Sequence, residues 1–143
     1  MKVASILHRK GTGVITIGPE MNIKLASHKL TTEDISALVV VQNGRIAGIL
    51  SERDIARGLA RHGEALTQMR ARDLMTEHVI TCEPEDSLKH IMTLMTHHRV
   101  RHLPVVNDGA LAGIVSIGDV VKYRLEELEL ETNVLRDAYF ASH

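Results

Sequence analysis

Two motifs in this 143-residue chain combine a serine with an aspartate three positions further on, Ser51 with Asp54 and Ser116 with Asp119. Each motif follows an apolar run, and serine is a preferred N-cap residue, so each is predicted to open a helix. A helix start presents free backbone N–H groups and a positive dipole end, which attract a phosphate. The aspartate adds two acceptor oxygens, which can bind the two neighbouring hydroxyls of a ribose.

The same spacing also has a purely structural interpretation. A serine and a carboxylate three residues apart form a capping box, in which each side chain accepts a hydrogen bond from the other residue's backbone and no ligand is involved. Local sequence alone does not separate the two interpretations. A binding role is favoured because the motif occurs twice, each time directly after a Gly-Ile-hydrophobic-Ser run.

The repetition extends over much of the chain. Shifting residues 14–58 by 65 positions aligns them with residues 79–123 without a gap, and 16 of the 45 aligned pairs are identical. Such repetition predicts two similar structural units, which we assign to residues 1–68 and 69–143. A unit of about 60 residues is only marginally stable alone, so we expect the two units to pack on each other.

Each unit is predicted to run strand, helix, strand, strand, helix, which is a mixed α/β fold. The first strands, residues 14–17 and 79–82, end next to a proline that suits the first turn of a helix. The middle strands are predicted to form hairpins around Asn-Gly at 43–44 and Asp-Gly at 108–109, because these dipeptides favour tight turns. Residues 61–70 are predicted to be a polar connector between the units.

The last helix is predicted to persist from about residue 119 to residue 139, longer than its counterpart in the first unit. Its additional apolar residues have no second copy to pack on within the chain. We therefore expect them to form the interface of a homodimer. The alternative is that this helix folds back on its own chain.

Composition argues against several partners. A net charge of −1, a pI near 6.8 and 2% aromatic residues provide neither a basic surface nor rings for stacking bases, so no nucleic-acid partner is expected. No apolar run approaches the roughly 20 residues needed to span a bilayer, and the N-terminus lacks a signal-peptide core. We expect a cytoplasmic protein with no membrane partner.

The sequence shows no set of residues suited to catalysis. No nucleophile, base and orienting residue can be grouped, so we expect no enzymatic activity and no catalytic cofactor. Histidines at 90, 97, 98 and 102 raise the possibility of a metal site, but no metal-binding spacing completes it. The single cysteine, Cys82, aligns with Ile17 and is interpreted as a core residue rather than a reactive thiol.

Several of these features together resemble the CBS domain, the motif named after cystathionine β-synthase. They are the element order, Leu-Pro-Val-Val at 103–106, Gly-x-Leu-x-Gly-Ile-Val-Ser at 109–116 and the Ser-x-x-Asp motif. Two copies in tandem resemble a Bateman module. The resemblance covers essentially the whole chain, so the chain resembles the stand-alone CBS pairs of bacteria. It implies two β-α-β-β-α repeats packed about a pseudo-two-fold axis. The clefts of such a pair bind adenosine-containing ligands such as AMP, ADP, ATP, NAD or S-adenosylmethionine.

The resemblance also implies where such a ligand would lie. The first strand of each copy, and the residues leading into the second strand, would line an adenine slot in which backbone groups read the base. The aspartates would bind ribose, while the serines and nearby cations would bind phosphate. The ligand-binding residues predicted in this way are Thr16, Ala37, Leu38, Ser51, Arg53, Asp54, Thr81, Arg101, His102, Leu103, Pro104, Ser116 and Asp119.

The two predicted sites differ in charge. Arg101 and His102 of the second copy align with a serine and an alanine in the first. The second site should therefore hold phosphate better, through the planar arginine fork and a charge-assisted hydrogen bond from the histidine. In the first site the nearest cation is Arg53. The alternative is that Arg99 and Arg101 form a solvated basic patch.

Taken with the resemblance, the sequence predicts a non-enzymatic regulatory or sensory module that binds adenine nucleotides, with two sites per chain. We expect it to work as a homodimer that reports to an effector protein. The alternative is a structural or protein-interaction scaffold whose clefts are empty and whose C-terminal helix docks a partner.

Overall fold

The computed structural model describes residues 1–142, which form a mixed α/β fold. The first repeat contains helices and strands in the predicted order, preceded by a short N-terminal helix. In chain order the elements are α1 (Val3–Lys10), β1 (Thr16–Ile17), α2 (Ile23–Thr32), β2 (Ala37–Gln42), β3 (Arg45–Ser51), α3 (Glu52–His62), a 3₁₀ helix (Gly63–Gln68), α4 (Ala71–Leu74), α5 (Leu88–His98), β4 (His102–Asn107), β5 (Ala110–Ser116) and α6 (Ile117–Ser142).

The two repeats differ in their sheets. In the first, β1 is parallel to β2, and β2 is antiparallel to β3. In the second, β4 and β5 are antiparallel, but the strand predicted at 79–82 is reduced to one parallel bridge between Cys82 and Val105. Pro104 explains this correction. In the first repeat the N–H of Val39 donates to the carbonyl of Ile15 at 3.3 Å, whereas proline at the aligned position has no N–H to donate.

The helices that follow the first strands begin later than predicted. Pro19 and Pro84 lie in turns rather than in the first helical turn, which corrects that part of the prediction. The N-caps are Asn22 and Ser87, whose side chains accept hydrogen bonds from backbone N–H groups two and three residues further on. These caps set the helix start because they satisfy N–H groups that have no partner within the helix.

Both predicted hairpins are confirmed. Asn43 and Asp108, each followed by glycine, adopt positive φ angles of 53° and 50°. Left-handed backbone at both central positions is what a two-residue turn between right-twisted strands requires.

Two hydrophobic cores form, and each is completed by a segment that belongs to the other repeat. Val3 and Ile6 of α1 are fully buried among second-repeat residues such as Leu103. Conversely, Ala71 of α4 is fully buried in the core of the first repeat. The segment before the first strand of each repeat thus crosses to its neighbour. The two packed cores therefore do not follow the predicted division at residue 68. That division stays a prediction about where the sequence repeat changes over.

The segment 61–70 is not the polar connector that was predicted. α3 continues to His62, and the 3₁₀ helix that follows places Leu66 in the core of the first repeat with 8% of its surface exposed. A single apolar residue per turn was too weak a pattern to reveal this short helix.

α6 is confirmed as one continuous helix of 26 residues. Val120 and Tyr123 are buried in the core of the second repeat, whereas every residue from 128 to 142 is exposed. The alternative in which this helix folds back on its own chain is therefore wrong. Among residues 1–142, no helix has both the length and the apolar content needed to cross a membrane.

Glycine is required where the crossing segments meet the sheets. Thr76 and Ile49 pair through both backbone groups, with N···O distances of 2.8 and 3.0 Å, and this brings the crossing chain against Gly48. A Cβ atom at position 48 would lie 2.9 Å from the carbonyl oxygen of Thr76. At the aligned position, a Cβ on Gly113 would lie 2.6 Å from the side chain of Leu7. The crossing segments can approach this closely only because both positions lack a side chain.

We predict that Gly48→Ala lowers the free energy of unfolding by about 1–3 kcal/mol, because the added methyl group meets a carbonyl oxygen that is held by a hydrogen bond. Gly13→Ala is the matched control, since a Cβ there has no neighbour within 4 Å. Urea unfolding of the two variants measures the difference. Equal stability of both variants would contradict the close approach at position 48.

Candidate functional site

A cavity of about 680 Å³ lies between the two repeats. Its walls come from the end of β3 and the start of α3, from the crossing segment that leads into the second repeat, and from the region between α5 and the start of α6. The lining residues are Ser36, Ile49, Ser51, Glu52, Arg53, Asp54, Arg57, Thr76, His78, Val79, Ile80, His98, Arg99, Val100, Arg101, His102, Ser116, Ile117 and Gly118.

Asp54 is the buried carboxylate of this cavity, with 9% of its surface exposed. Its Oδ2 accepts hydrogen bonds from the N–H of Ser51 at 2.9 Å and from Ser51 Oγ at 3.0 Å, and Ser51 Oγ accepts from the N–H of Asp54 at 3.2 Å. The capping box is therefore present. Asp54 Oδ1 accepts from Thr76 Oγ1 at 3.2 Å. A carboxylate oxygen has two lone pairs, so Oδ1 retains capacity for a further donor while the cap stays intact.

Asp119 has the same contacts with Ser116 but a different outer partner. Its Oδ2 accepts from the N–H and the Oγ of Ser116 at 2.9 and 3.0 Å. Lys10 Nζ lies 2.6 Å from the same oxygen and 3.0 Å from the carbonyl oxygen of Ile114. The ammonium group therefore binds the capping oxygen of Asp119, whereas the hydroxyl of Thr76 binds the other oxygen of Asp54. Each partner comes from the segment that crosses from the other repeat.

The sequence explains this difference. With the 65-residue shift, Lys10 aligns with Met75 and Gly11 aligns with Thr76. The first aspartate thus meets a neutral donor, and the second meets a cation. Burial alone would raise the pKa of Asp119, but the hydrogen bonds from Lys10 and Ser116 outweigh it and hold this pKa below its ordinary value.

A hydrogen bond joins the entries of β2 and β4 at the cavity. Ser36 Oγ and His102 Nε2 lie 2.6 Å apart. Burial, followed by the nearby charges of Lys10 and Arg101, lowers the pKa of His102 and outweighs the opposite effect of the two aspartates. A neutral imidazole therefore faces the cavity at pH 7. The charge-assisted hydrogen bond from this histidine to a phosphate stays a prediction, since an anionic ligand would itself favour the charged imidazole.

The cavity carries an excess of positive charge. Arg53, Arg57, Arg99 and Arg101 line it, against two carboxylates. Within residues 1–142, the ion pairs of arginine involve other positions, so none of these four guanidinium groups is neutralised by a salt bridge. Guanidinium groups bind phosphate and carboxylate oxygens through paired donors. The charge of this cavity favours an anionic ligand.

The predicted site residues fall into two groups. Those that line the cavity are Ser51, Arg53, Asp54, Arg101, His102 and Ser116. The others lie outside it for different reasons. Ala37, Leu38, Leu103 and Pro104 are buried within the strands, Thr16 and Thr81 are exposed on other surfaces, and Asp119 faces Lys10.

Several lining residues were not predicted, and the most consequential are Thr76, Val79 and Ile80. The sequence assigned the first strand of each copy to the aspartate of the same copy. The structure instead brings the approach to the second copy's first strand beside Asp54 of the first copy. The recurring glycine at 48 and 113 was the one available signal, because a glycine inside a strand often marks close approach of another chain segment.

The metal and thiol alternatives find no geometric basis. Within residues 1–142, no three His, Cys, Asp or Glu side chains converge on a point that could hold a metal ion.

Cys82 is 3% exposed in the second core, as the sequence interpretation proposed. Burial, with smaller effects of Asp86 and Glu83, raises the pKa of its thiol to about 12. The reactive thiolate is therefore strongly disfavoured.

We predict that Lys10→Met lowers the free energy of unfolding by about 1 kcal/mol at pH 7. Because the pKa of Asp119 is depressed in the folded state, the stabilisation is present above the ordinary value of 3.8 and disappears as the pH falls through the folded-state pKa. Wild type and variant should therefore converge in urea unfolding at acidic pH. Lys89→Met, which changes an exposed lysine of α5, is the control. A difference that is independent of pH would contradict the ion pair with Asp119.

Comparisons with known proteins agree with this architecture. The CBS domain family model matches residues 3–61 and 71–126. The mitochondrial CBS domain-containing protein CBSX3 of Arabidopsis thaliana is 40% identical over 107 residues, which cover 71% of this chain and 52% of that protein. The chain thus spans about half the length of this relative.

Two solved structures resemble the whole pair. The CBS-domain containing protein ATU1752 from Agrobacterium tumefaciens is 41% identical with a TM-score of 0.85, over 87% of this chain and 99% of that chain. The CBS domain pair of protein MJ0100, solved in complex with 5-methylthioadenosine and S-adenosyl-L-methionine, is 26% identical with a TM-score of 0.77, over 89% of this chain and 98% of that chain. Because the family model covers both repeats and the pair is matched as a unit, this chain belongs to the CBS domain family and carries two CBS domains in tandem.

Proposed function

We propose that this CBS pair is a non-catalytic regulatory module that binds an adenine nucleotide, such as AMP, ADP, ATP or NAD, in the cavity beside Asp54. The observation that carries the proposal is the combination of one buried carboxylate with four arginines that form no ion pair within residues 1–142. A nucleotide has the complementary chemistry, because its ribose diol donates hydrogen bonds and its phosphates are anionic.

The ribose would bind Asp54. Its Oδ1 has one neutral partner, Thr76 Oγ1, and can accept a second donor without breaking the cap. The first turn of α3 adds a phosphate contact, since the N–H of Arg53 has no hydrogen-bond acceptor among residues 1–142. A helix start and its dipole favour an anion at this point.

The phosphates would extend toward the arginines. Arg53 and Arg57 lie on α3, while Arg99 and Arg101 approach from the other repeat. A ligand bridging these two sides would be held by both CBS domains at once. Such bridging is a physical basis for regulation, because binding then depends on how the repeats are arranged.

The complex named for the MJ0100 pair supports an adenosyl ligand but not its phosphates, since 5-methylthioadenosine has none. The four arginines that line the present cavity favour a phosphorylated ligand over a neutral nucleoside. We therefore place nucleotides ahead of S-adenosylmethionine for this chain.

We further propose one nucleotide per chain rather than the two expected from the repeats. Lys10 already neutralises Asp119 and also binds the carbonyl of Ile114. Asp119 does not line the cavity, and Lys10, with 29% of its side-chain surface accessible, screens the charge of this carboxylate. At Asp54 no cation has to be displaced.

The competing function is a scaffold with empty clefts that docks an effector protein through α6. The exposed apolar residues of α6 favour this alternative. A thermal-shift series with AMP, ADP, ATP, NAD and S-adenosylmethionine separates the two functions. A binder is stabilised by RT ln(1 + [L]/Kd), whereas the melting temperature of a scaffold stays constant with every ligand.

We predict that Asp54→Ala weakens AMP binding by about 2 kcal/mol, or about thirtyfold, because the ribose diol loses a buried acceptor. Asp119→Ala is the matched control, since it removes the equivalent capping carboxylate from the other repeat. It should change the affinity by less than about twofold. Isothermal titration calorimetry reports the affinity and the expected stoichiometry of one.

Both aspartate variants should lose about 1 kcal/mol of stability because each loses a capping box. Asp119→Ala should lose about 1 kcal/mol more, because it also removes the ion pair with Lys10. The shared loss of the capping box separates capping from binding. If Asp54→Ala binds AMP as tightly as wild type and only its melting temperature falls, the carboxylate serves the helix alone. A wild-type stoichiometry of two would contradict the assignment of a single site while leaving nucleotide binding intact.

We predict that Arg101→Ala weakens AMP binding by about tenfold but leaves adenosine binding unchanged, because a guanidinium group contributes only when a phosphate is present. Arg61→Ala is the control, since this exposed arginine of α3 lies outside the cavity. Competition titrations with both ligands provide the comparison. Unchanged AMP affinity in Arg101→Ala would assign Arg101 to a solvated basic patch.

A further inference from the structure

The exposed part of α6 carries an apolar stripe with heptad spacing. Its positions are separated alternately by four and three residues, as in the seam of a coiled coil. The stripe consists of Val121, Leu125, Leu128, Thr132, Leu135 and Tyr139. Val121, Leu128 and Leu135 occupy d positions, and the other three occupy a positions. Two of the three d positions hold leucine, the residue that parallel two-stranded coils favour at d.

This stripe is exposed within its own chain. Leu128 and Leu135 have 42% and 72% of their surfaces accessible, and residues 128–142 are all exposed. These 15 residues extend the helix by roughly 22 Å. A projecting helix of this length is only marginally stable in water unless an apolar face packs on another element. The structure therefore requires a second surface for α6.

The flanking charges identify that surface as another copy of α6. In a parallel pair, each g residue faces the e residue of the next heptad on the partner helix. Arg124 at g then faces Glu129 at e, and Glu131 at g faces Arg136 at e. By symmetry each contact forms twice. Arg124 also binds Glu127 within its own chain, but through one N–H of five, so donors remain for the partner.

The antiparallel arrangement is opposed by the same residues. When two seams overlap fully in that orientation, e positions face e positions and g positions face g positions. Glu129 would then face Glu129, Glu131 would face Glu131, and Lys122 would face Arg136. All three contacts join like charges. The charge pattern therefore selects the parallel orientation as well as the identity of the partner.

Thr132 is the one polar residue of the stripe. Its Oγ1 donates a hydrogen bond to the carbonyl of Leu128 in the same helix at 2.9 Å. The donor is thus satisfied before association, and the methyl group remains available for packing. Burial of Thr132 in a seam leaves no unsatisfied hydroxyl donor.

We propose that two copies of this chain associate through their C-terminal helices as a parallel two-stranded coiled coil, with the stripe from Val121 to Tyr139 as its seam. This interface lies apart from the proposed nucleotide site, on a different part of the chain. It joins two CBS pairs through helices that begin at the cavity, since Ile117, the first residue of α6, lines it.

Sedimentation velocity of the full chain tests the seam. Wild type is expected at the mass of two chains and Leu135→Asp at the mass of one. Leu130→Asp is the matched control, because Leu130 is equally exposed, at 66%, but lies at an f position away from the seam. A monomeric wild type, or a Leu135→Asp variant that keeps the dimer, would overturn the proposal, as would equal dissociation of both variants. Thermal unfolding confirms that each variant retains the folded repeats.

A cysteine placed at the end of the seam tests the orientation. Ser142 is the next d position, so Ser142→Cys brings two thiols together in a parallel pair, whereas an antiparallel pair separates them by about 35 Å. Oxidation should yield a disulfide-linked dimer on a non-reducing gel. The natural Cys82 does not interfere, because it is buried. Absence of the cross-link in a dimeric protein would overturn the parallel arrangement.

The charges supply a third measurement. Arg136→Glu places Glu131 opposite a second carboxylate and should weaken the dimer at least tenfold at low salt. Adding Glu131→Arg reverses both charges and should restore the affinity. Failure of the double variant to recover would show that these residues do not face each other.

Discussion

The backbone pairing of Thr76 with Ile49 is the contact on which the architecture of the site depends. It fixes the segment that crosses from one repeat to the other, and it requires Gly48 because a side chain there would collide with the paired carbonyl group. The crossing delivers the hydroxyl of Thr76 to Asp54. Without it, the first repeat would have an incomplete core and Asp54 would lack its outer partner.

Duplication supplied two similar sites, and changes in the crossing segments made them unequal. Where one segment has Met75 and Thr76, the other has Lys10 and Gly11. One aspartate is thereby left with a neutral partner and capacity for a ligand, while the other is held by an ammonium group. Coulombic attraction over 2.6 Å between groups that are only partly exposed holds Lys10 against Asp119.

The cavity and the proposed interface share α6. Its first two residues line the cavity, Val120 and Tyr123 in its first two turns pack in the second core, and its last 15 residues are exposed. A continuous helix is stiff, so a shift of its first turn would move the seam as well. α6 thus connects the cavity between the two repeats to the surface through which we propose that two copies associate.

The sequence by itself determined the repeat, the order of the main helices and strands apart from the strand at 79–82, the hairpins, the caps at Ser51 and Ser116 and the approximate length of α6. These features are local, since they follow from turn residues, capping chemistry and hydrophobic period. Only the tertiary structure decided that α1 and α4 are exchanged, that Thr76 belongs to Asp54, that Lys10 binds Asp119 and that His102 is neutral. These outcomes depend on contacts between residues far apart in the chain and on burial, neither of which leaves a periodic signal in the sequence.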